Sequence, residues 1–377
     1  ATTDFPSRAL ADGERISLGD VTLEIMATPG HTPESISVLV YEHADDAVAY
    51  GVLTGDALFI GDVGRPDLLA SIGVTADELG RMLYDSVQHQ LMGLQDAVRV
   101  FPAHGAGSAC GKNLSTERQS TIGEQRAFNY ACQPMSESEF LEVVTEGQPA
   151  APQYFVFNAM LNRQERDVRD VDAAAPVLSP AEVDAALADG AVLHDARETQ
   201  EFAAGHLRGA VNVPVDGRMA ETVGMVFTPK QQIVVMAPEG HEQEVAVRFA
   251  RIGYDHVVGV VADAEAYLLA HEDDVTHASR LTVAEVDAAL GRGDVQVVDI
   301  RNAGELTAGG LPDAVHIPLA ELAGRADELD PKQPILLYCA GGWRSSVAAS
   351  LLRSRGFDDV SDILGGHGAW ERAHATV

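Results

Sequence analysis

Hydrophobic and polar positions along the chain fall into two patterns. Near the start, Val21-Thr-Leu-Glu-Ile-Met26 alternates as a half-buried strand does, and Ala47–Leu53 and Val98–Phe101 predict two more strands. Further on, short continuous apolar runs replace the alternation. Ala191-Val-Leu-His-Asp195 and Val295-Gln-Val-Val-Asp299 each end on an acid, and Ile233–Ala237 and Ile335–Cys339 lead into turns. Helical stretches at 243–251 and 345–354 follow, each closed by glycine and an aromatic residue, Gly253-Tyr254 and Gly356-Phe357. Ser179-Pro180 and Thr282 precede short amphipathic segments as N-caps do. Fully apolar strands alternating with helices predict an α/β fold with a doubly wound parallel sheet.

This second pattern occurs twice. AEVDAAL stands at 181–187 and again at 284–290. Asp195-Ala-Arg197, Glu201 and Gly205-His-Leu207 correspond to Asp299-Ile-Arg301, Glu305 and Gly309-Gly-Leu311, and Pro214 to Pro318. The spacing makes each copy a domain rather than a solenoid repeat. The predicted organisation is a first domain over 1–163, a charged and Ala/Pro-rich linker over 164–176, and two related domains over 177–272 and 279–377.

Composition changes the picture by exclusion. Among the 377 residues, 26 Lys and Arg face 57 Asp and Glu, a formal charge of −31, and only Lys112, Lys230 and Lys332 are lysines. Such a field repels phosphate backbones and anionic lipid, so no nucleic-acid or membrane partner is expected. No run approaches the roughly 18 apolar residues of a membrane span, and no leader pattern is visible. Three cysteines, Cys110, Cys132 and Cys339, make no disulfide framework and suit a reducing, cytoplasmic setting. The chain opens on Ala1 in mid-pattern, which suggests a trimmed N-terminus.

Cys339 carries the strongest chemical signal. Cys339-Ala-Gly-Gly-Trp-Arg344-Ser-Ser346 lies between an apolar strand and a helix, where backbone N–H groups and the helix dipole converge. Gly341 and Gly342 let the loop curl, and Arg344 adds a full positive charge, all favouring a nucleophilic thiolate. Cysteine phosphatases place arginine six positions after the cysteine; here the interval is five. The loop resembles that of rhodaneses, as do Asp299-x-Arg301, Glu305, Pro318 and Gly365-Gly366-x-x-Ala369-Trp370. The resemblance implies sulfur transfer through Cys339 and Arg344, with Ala340, Gly341, Gly342, Trp343 and Ser345 forming the sulfur-binding loop. Residues 177–272 resemble the same family, but their loop reads Ala237-Pro-Glu-Gly-His-Glu242, so this copy is expected to be catalytically silent. The Asp195/Arg197 and Asp299/Arg301 pairs are expected to be structural.

The first domain delivers metal-type side chains after its strands: His31 in Thr28-Pro-Gly-His31, Asp56 in Thr54-Gly-Asp56, and His104 in Pro102-Ala-His104-Gly. With Gly55–Asp67 and Pro102–Lys112 around them, they resemble the metallo-β-lactamase superfamily, in particular persulfide dioxygenases fused to rhodanese domains. That resemblance implies the C-terminal part of an αββα sandwich and a mononuclear non-haem Fe(II), with His31 and Asp56 as ligands and His104 in a supporting or second-metal position. The third ligand would come from an upstream His-x-His-x-Asp-His motif, but only 30 residues precede His31. A weak or empty iron site is therefore expected, in a fragment lacking the first half of the sandwich or in a degenerate domain.

Cys110 is open between relaying a persulfide and filling a small buried space, and Arg65 between pairing with an acidic substrate group and bracing its loop through Asp67. Cys132 is expected in the core, and His367 in a structural turn. The implied activity oxidises a low-molecular-weight thiol persulfide with O2 and transfers sulfane sulfur through Cys339, with thiosulfate or sulfite as partner, in a homo-oligomer. Three alternatives stand beside it: a sulfurtransferase with a degenerate metal domain, a glyoxalase II-like hydrolase fused to a sulfurtransferase, and a non-enzymatic persulfide carrier or sensor.

Overall fold

The structure is a computed structural model that describes residues 3–375, apart from 69–72, 107, 109, 113, 149–151, 153, 167–169 and 171–172. The chain divides into two compact units. One comprises 1–151 with 162–165, and the other 152–161 with 166–377.

In the first unit six strands form one sheet in sequence order: Arg15–Leu18, Val21–Ala27, Ile36–Tyr41, Gly51–Gly55, Arg99–Pro102 and Ser120–Thr121. All neighbours run antiparallel except Gly51–Gly55 beside Arg99–Pro102, whose parallel pairing needs a crossover, and helix Ala76–Asp85 lies in it. Thr75 and Glu78 close a capping box at its start. The row Leu39, Val52 and Val100 is buried against Leu83, Val87, Phe140 and Val144, so the helices cover that face. The other face is also apolar, through Val38, Leu53 and Phe101, and Leu53 is 45% exposed. This alternation of two apolar faces is what a strand covered on both sides requires.

The second unit holds the two copies. Each has a five-stranded parallel sheet in the same spatial order. The first runs Val211–Asn212, Val192–Asp195, Ile233–Met236, Val257–Val261, Val177–Leu178. The second runs Val315–His316, Gln296–Asp299, Ile335–Tyr338, Val360–Ile363, Ser279–Leu281. A short antiparallel ladder, His206–Leu207 with Val275–Thr276, ties the segment after the first copy back to it.

The copies share a core. Val211, Val213, Val223 and Phe249 of the first belong to one buried cluster with Ile317, Leu322, Val347 and Leu351 of the second, each such aliphatic side chain contributing about 1.5–3 kcal/mol when fully buried. The Asn212 amide donates to Ser350 Oγ at 2.9 Å across the join.

Helix Tyr154–Leu161 departs from the expected division, which assigned 1–163 to the first domain. It belongs to the second unit, because Tyr154 fills the space beside Gly224, and Leu161 and Phe157 the space beside Gly253. The expected linker over 164–176 falls partly outside the described residues. Among the described residues no helix is long and apolar enough to cross a membrane.

Candidate functional sites

Strand Ile335–Tyr338 is buried throughout and delivers Cys339, itself 1% exposed, to the start of helix Trp343–Ser354. The loop between them turns through Gly342 at φ +90°, a conformation an L side chain rarely adopts. This curl brings the Gly342 N–H to 3.1 Å from Cys339 Sγ, and Ser345 Oγ lies 3.6 Å away. The Gly342 N–H and the adjoining helix N-terminus are placed to stabilise negative charge on sulfur.

Arg344 is held by both oxygens of Glu305 at 2.7 Å, a planar fork-to-fork pairing that fixes the guanidinium beside the thiol. Burial pulls its proton affinity down, but Glu305 and the nearby Cys339 more than offset this, so the guanidinium stays charged. Ser345 Oγ is in turn 3.4 Å from Asp362, which Arg280 holds at 3.0 Å. Arg280 also donates to the Gly342 carbonyl and to Thr199 Oγ1 of the first copy, both at 3.0 Å.

The Gly365-Gly366 motif supports this loop from behind. Gly366 has φ +59°, and a Cβ there would stand 2.3 Å from the Cys339 carbonyl oxygen and 2.7 Å from Gly342 N. The His367 amide donates to the Cys339 carbonyl at 2.7 Å and the Gly368 amide to that of Ala340 at 3.0 Å. Of the loop residues singled out in the sequence, Gly341 and Trp343 line the cavity over Cys339, Ser345 is buried beneath it, and Ala340 is exposed.

The Asp299–Arg301 pair lies beside this loop. Arg301 binds Asp299 at 2.6–3.0 Å and the Gly309 carbonyl at 2.5 Å, and Tyr338 OH donates to Asp299 at 2.7 Å. Burial pushes the Asp299 carboxyl up, but the Arg301 hydrogen bonds outweigh it and hold it below the usual carboxylate range. The first copy repeats the arrangement with Asp195 and Arg197 at 2.6 Å and the Gly205 carbonyl at 3.0 Å. There, Ala237 follows the strand, and Glu242 stands five positions on, where the second copy has Arg344.

In the first unit, His31, Asp56 and Cys110 present ligand atoms within 4.8 Å of one another. His31 Nε2 is 3.5 Å from Asp56 Oδ2, and His104 Nδ1 is 2.7 Å from Asp56 Oδ1. His31 Nδ1 donates to the Arg65 carbonyl at 3.0 Å, which turns a bare Nε2 toward the cluster. Burial lowers the His31 pKa, whereas contact with Asp56 and then Cys110 holds His104 up at about 10. Burial also pulls the Asp56 carboxyl up, but the two histidines overcome that and keep it below its ordinary range.

A Cβ on Gly64 would stand 1.8 Å from the Asp56 carbonyl and 3.1 Å from His31 Nδ1, so only glycine lets this loop approach. The set of one imidazole, one carboxylate and one thiol suits a divalent transition metal. Asp62 is a further positioning group, accepting from the Lys112 amide and from Tyr130 OH, both at 2.7 Å, and it fastens the Cys110 loop. Asp62 lies within the Gly55–Asp67 stretch, but this role is not legible there, since Lys112 stands 50 residues away.

Cys110 is half-buried within the donor cluster. Arg65 is buried and bound bidentately by Asp67 at 2.6 and 2.7 Å. Cys132 is 2% exposed, and burial pushes its thiol up to about 12.

A doubly wound sheet ending in a cysteine-centred, anion-stabilising loop defines a class of thiol-based group-transfer proteins. The rhodanese-like domain profile matches residues 179–264 and 282–373, and the chain belongs to that family. A thiosulfate sulfurtransferase GlpE of Pseudoalteromonas translucida is 35% identical over 95 residues, covering 25% of this chain and 90% of that protein. An uncharacterised protein of Mycobacterium leprae is 36% identical over 118 residues, 31% of this chain and 43% of its own length. This chain thus spans less than half of that relative. A solved metallo-β-lactamase from Staphylococcus aureus superposes with a TM-score of 0.60 at 27% identity, covering 69% of this chain and 72% of the other. A metallo-β-lactamase-like unit followed by two rhodanese-like domains is therefore the architecture.

Proposed function

We propose that this protein is a sulfurtransferase acting through a Cys339 persulfide, coupled to a metal unit that oxidises a low-molecular-weight thiol persulfide. The observation that carries the first part is the Gly342 amide 3.1 Å from Cys339 Sγ, beside an arginine clamped by Glu305. The Cys339 thiolate attacks the sulfane sulfur of a donor, a new S–S bond forms, and the donor's own bond to that sulfur breaks. With thiosulfate, sulfite leaves and Cys339 keeps the sulfur as a persulfide anion. With an organic persulfide, a thiolate leaves. The negative charge then lies near the Gly342 amide and Arg344, and an acceptor such as sulfite removes the outer sulfur by the reverse displacement. A reducing, cytoplasmic setting suits a cysteine that must begin each cycle as a thiol.

Support for the second part is the convergence of His31 and Asp56, the two residues matching iron ligands of persulfide dioxygenases, together with Cys110. Iron held there would supply a redox centre for O2 and a persulfide sulfur. The protein's own share is positional: the Arg65 carbonyl fixes the His31 ring, His104 holds Asp56, and Asp62 anchors the Cys110 loop.

The test is metal content with O2 uptake in the presence of a thiol persulfide, alongside thiocyanate formation from thiosulfate and cyanide. Thiocyanate is expected from this chain, and iron with O2 uptake once an upstream His-x-His-x-Asp-His motif completes the metal site. Zinc with thioester cleavage would replace the oxidative reading with a hydrolytic one, and absence of thiocyanate would remove the sulfurtransferase.

A further inference from the structure

The cavity over Cys339 is larger and more acidic than a small inorganic anion requires. It encloses about 710 Å³, and Met225, Leu319 and Trp343 give it an apolar wall. Four carboxylates line it, Glu198, Asp216, Glu221 and Glu305, against two guanidiniums, Arg218 and Arg344. Both guanidiniums are engaged, Arg218 by Glu221 and Arg344 by Glu305. Glu198 and Asp216 are exposed and have no ion-pair partner among the described residues. Three of the four carboxylates come from the silent copy, whose helix Met219–Val226 packs beside Leu319–Arg325 of the active one.

This lining discriminates by charge. An anionic donor approaches Cys339 against a surplus of negative charge in a cleft whose low-dielectric walls strengthen the field. A cationic group is drawn toward the same carboxylates, while the apolar wall packs a carbon skeleton that thiosulfate lacks.

We infer that the sulfur donor taken up at Cys339 is an organic persulfide bearing a protonated amine, and that the silent copy is the wall that selects it through Glu198 and Asp216. The inference rests on the reading of Cys339 as the sulfur carrier. The Cys339 thiolate displaces the thiolate of the aminothiol from R–S–SH. One S–S bond forms as another breaks, the proton remains on the transferred sulfur, and no external oxidant or reductant takes part. The ammonium group rests against the silent copy's carboxylates while the sulfane sulfur meets Cys339.

The experiment compares the persulfides of cysteamine and 3-mercaptopropionate, similar in length and opposite in charge, with thiosulfate as a third donor. Early loading of Cys339 on the whole chain is read by mass spectrometry. At low ionic strength the cysteamine persulfide is expected to load on the order of tenfold faster than its anionic counterpart. The ratio should shrink as salt rises and in a Glu198→Gln/Asp216→Asn double variant, whose exposed positions do not endanger the fold. Equal or faster loading from the anionic donors, or a preference unchanged in the double variant, would overturn the selectivity. Failure to load Cys339 from any donor would overturn the carrier reading beneath it.

Discussion

The two rhodanese copies share strand order, shared core and the Asp–Arg brace, and differ in the loop that follows one strand. In the first copy that strand, Ile233–Met236, is followed by Ala237, and 238–241 leads into helix Glu242–Arg251 with Glu242 and Glu244 in its first turn. In the second copy the corresponding strand, Ile335–Tyr338, is followed by Cys339, the first turn of the helix holds no acid, and Arg344 is present. Negative side chains at a helix N-terminus occupy the field that a thiolate would otherwise use. The supporting connection differs as well: Gly365-Gly366 lies behind the Cys339 loop, and Asp263-Ala264 stands at the equivalent place in the first copy. On the proposed function, the fold is kept while the chemistry is lost in the first copy, because the sheet and its brace are common to both and the sulfur-transfer loop with its backing is not.

The sharpest way to break this comparison is to exchange the nucleophile. Cys339→Ser should lower thiocyanate formation by about a thousandfold or more, since the attacking sulfur is gone. Ala237→Cys should restore nothing in that background, because no arginine follows Ala237 in the silent loop. Measurable turnover in the double variant would contradict the assignment of activity to loop context.

A smaller effect is expected from the arginine clamp. Arg344→Lys keeps the charge and loses the fork, and Glu305→Gln removes the carboxylate that aims it. Each should reduce the transfer rate by roughly 10- to 100-fold with little change in thermal stability. A comparable loss of melting temperature in both would instead make the pair structural, like Asp299–Arg301.

The smallest change in chemistry comes from Gly366→Ala. Its Cβ would collide with the Cys339 carbonyl and Gly342 N, so a cost of about 1–3 kcal/mol is expected, read as a lowered melting temperature. Transfer should fall only as far as the Gly342 amide is displaced from the sulfur. Unchanged stability would show that the loop yields where tight packing is expected.

Much of this arrangement was legible in the sequence because it is local. The strand, the two glycines, Cys339 and Arg344 lie within one short segment, and the repeat exposes its silent counterpart by simple alignment. His31 and Asp56 were likewise marked by the Pro, Gly and Thr residues of their turns. What escaped depends on elements brought together by packing. Glu305 was visible as a family position, but its bidentate hold on Arg344 spans 39 residues. Helix Tyr154–Leu161 read as the end of the first domain because only its contacts with Gly224 and Gly253 assign it to the second unit. Cys110 and Arg65 each had two readings in sequence; the fold puts Cys110 beside His31 and Asp56, and Arg65 against Asp67.

The most direct test is whether sulfur rides on Cys339 and on no other cysteine. Brief exposure of the whole protein to a sulfane donor, followed by alkylation, digestion and mass spectrometry, reads this directly. One added sulfur is expected on the peptide carrying Cys339, removed by cyanide in step with thiocyanate release. Added sulfur confined to Cys110 or Cys132, with Cys339 unmodified while thiocyanate still forms, would contradict it.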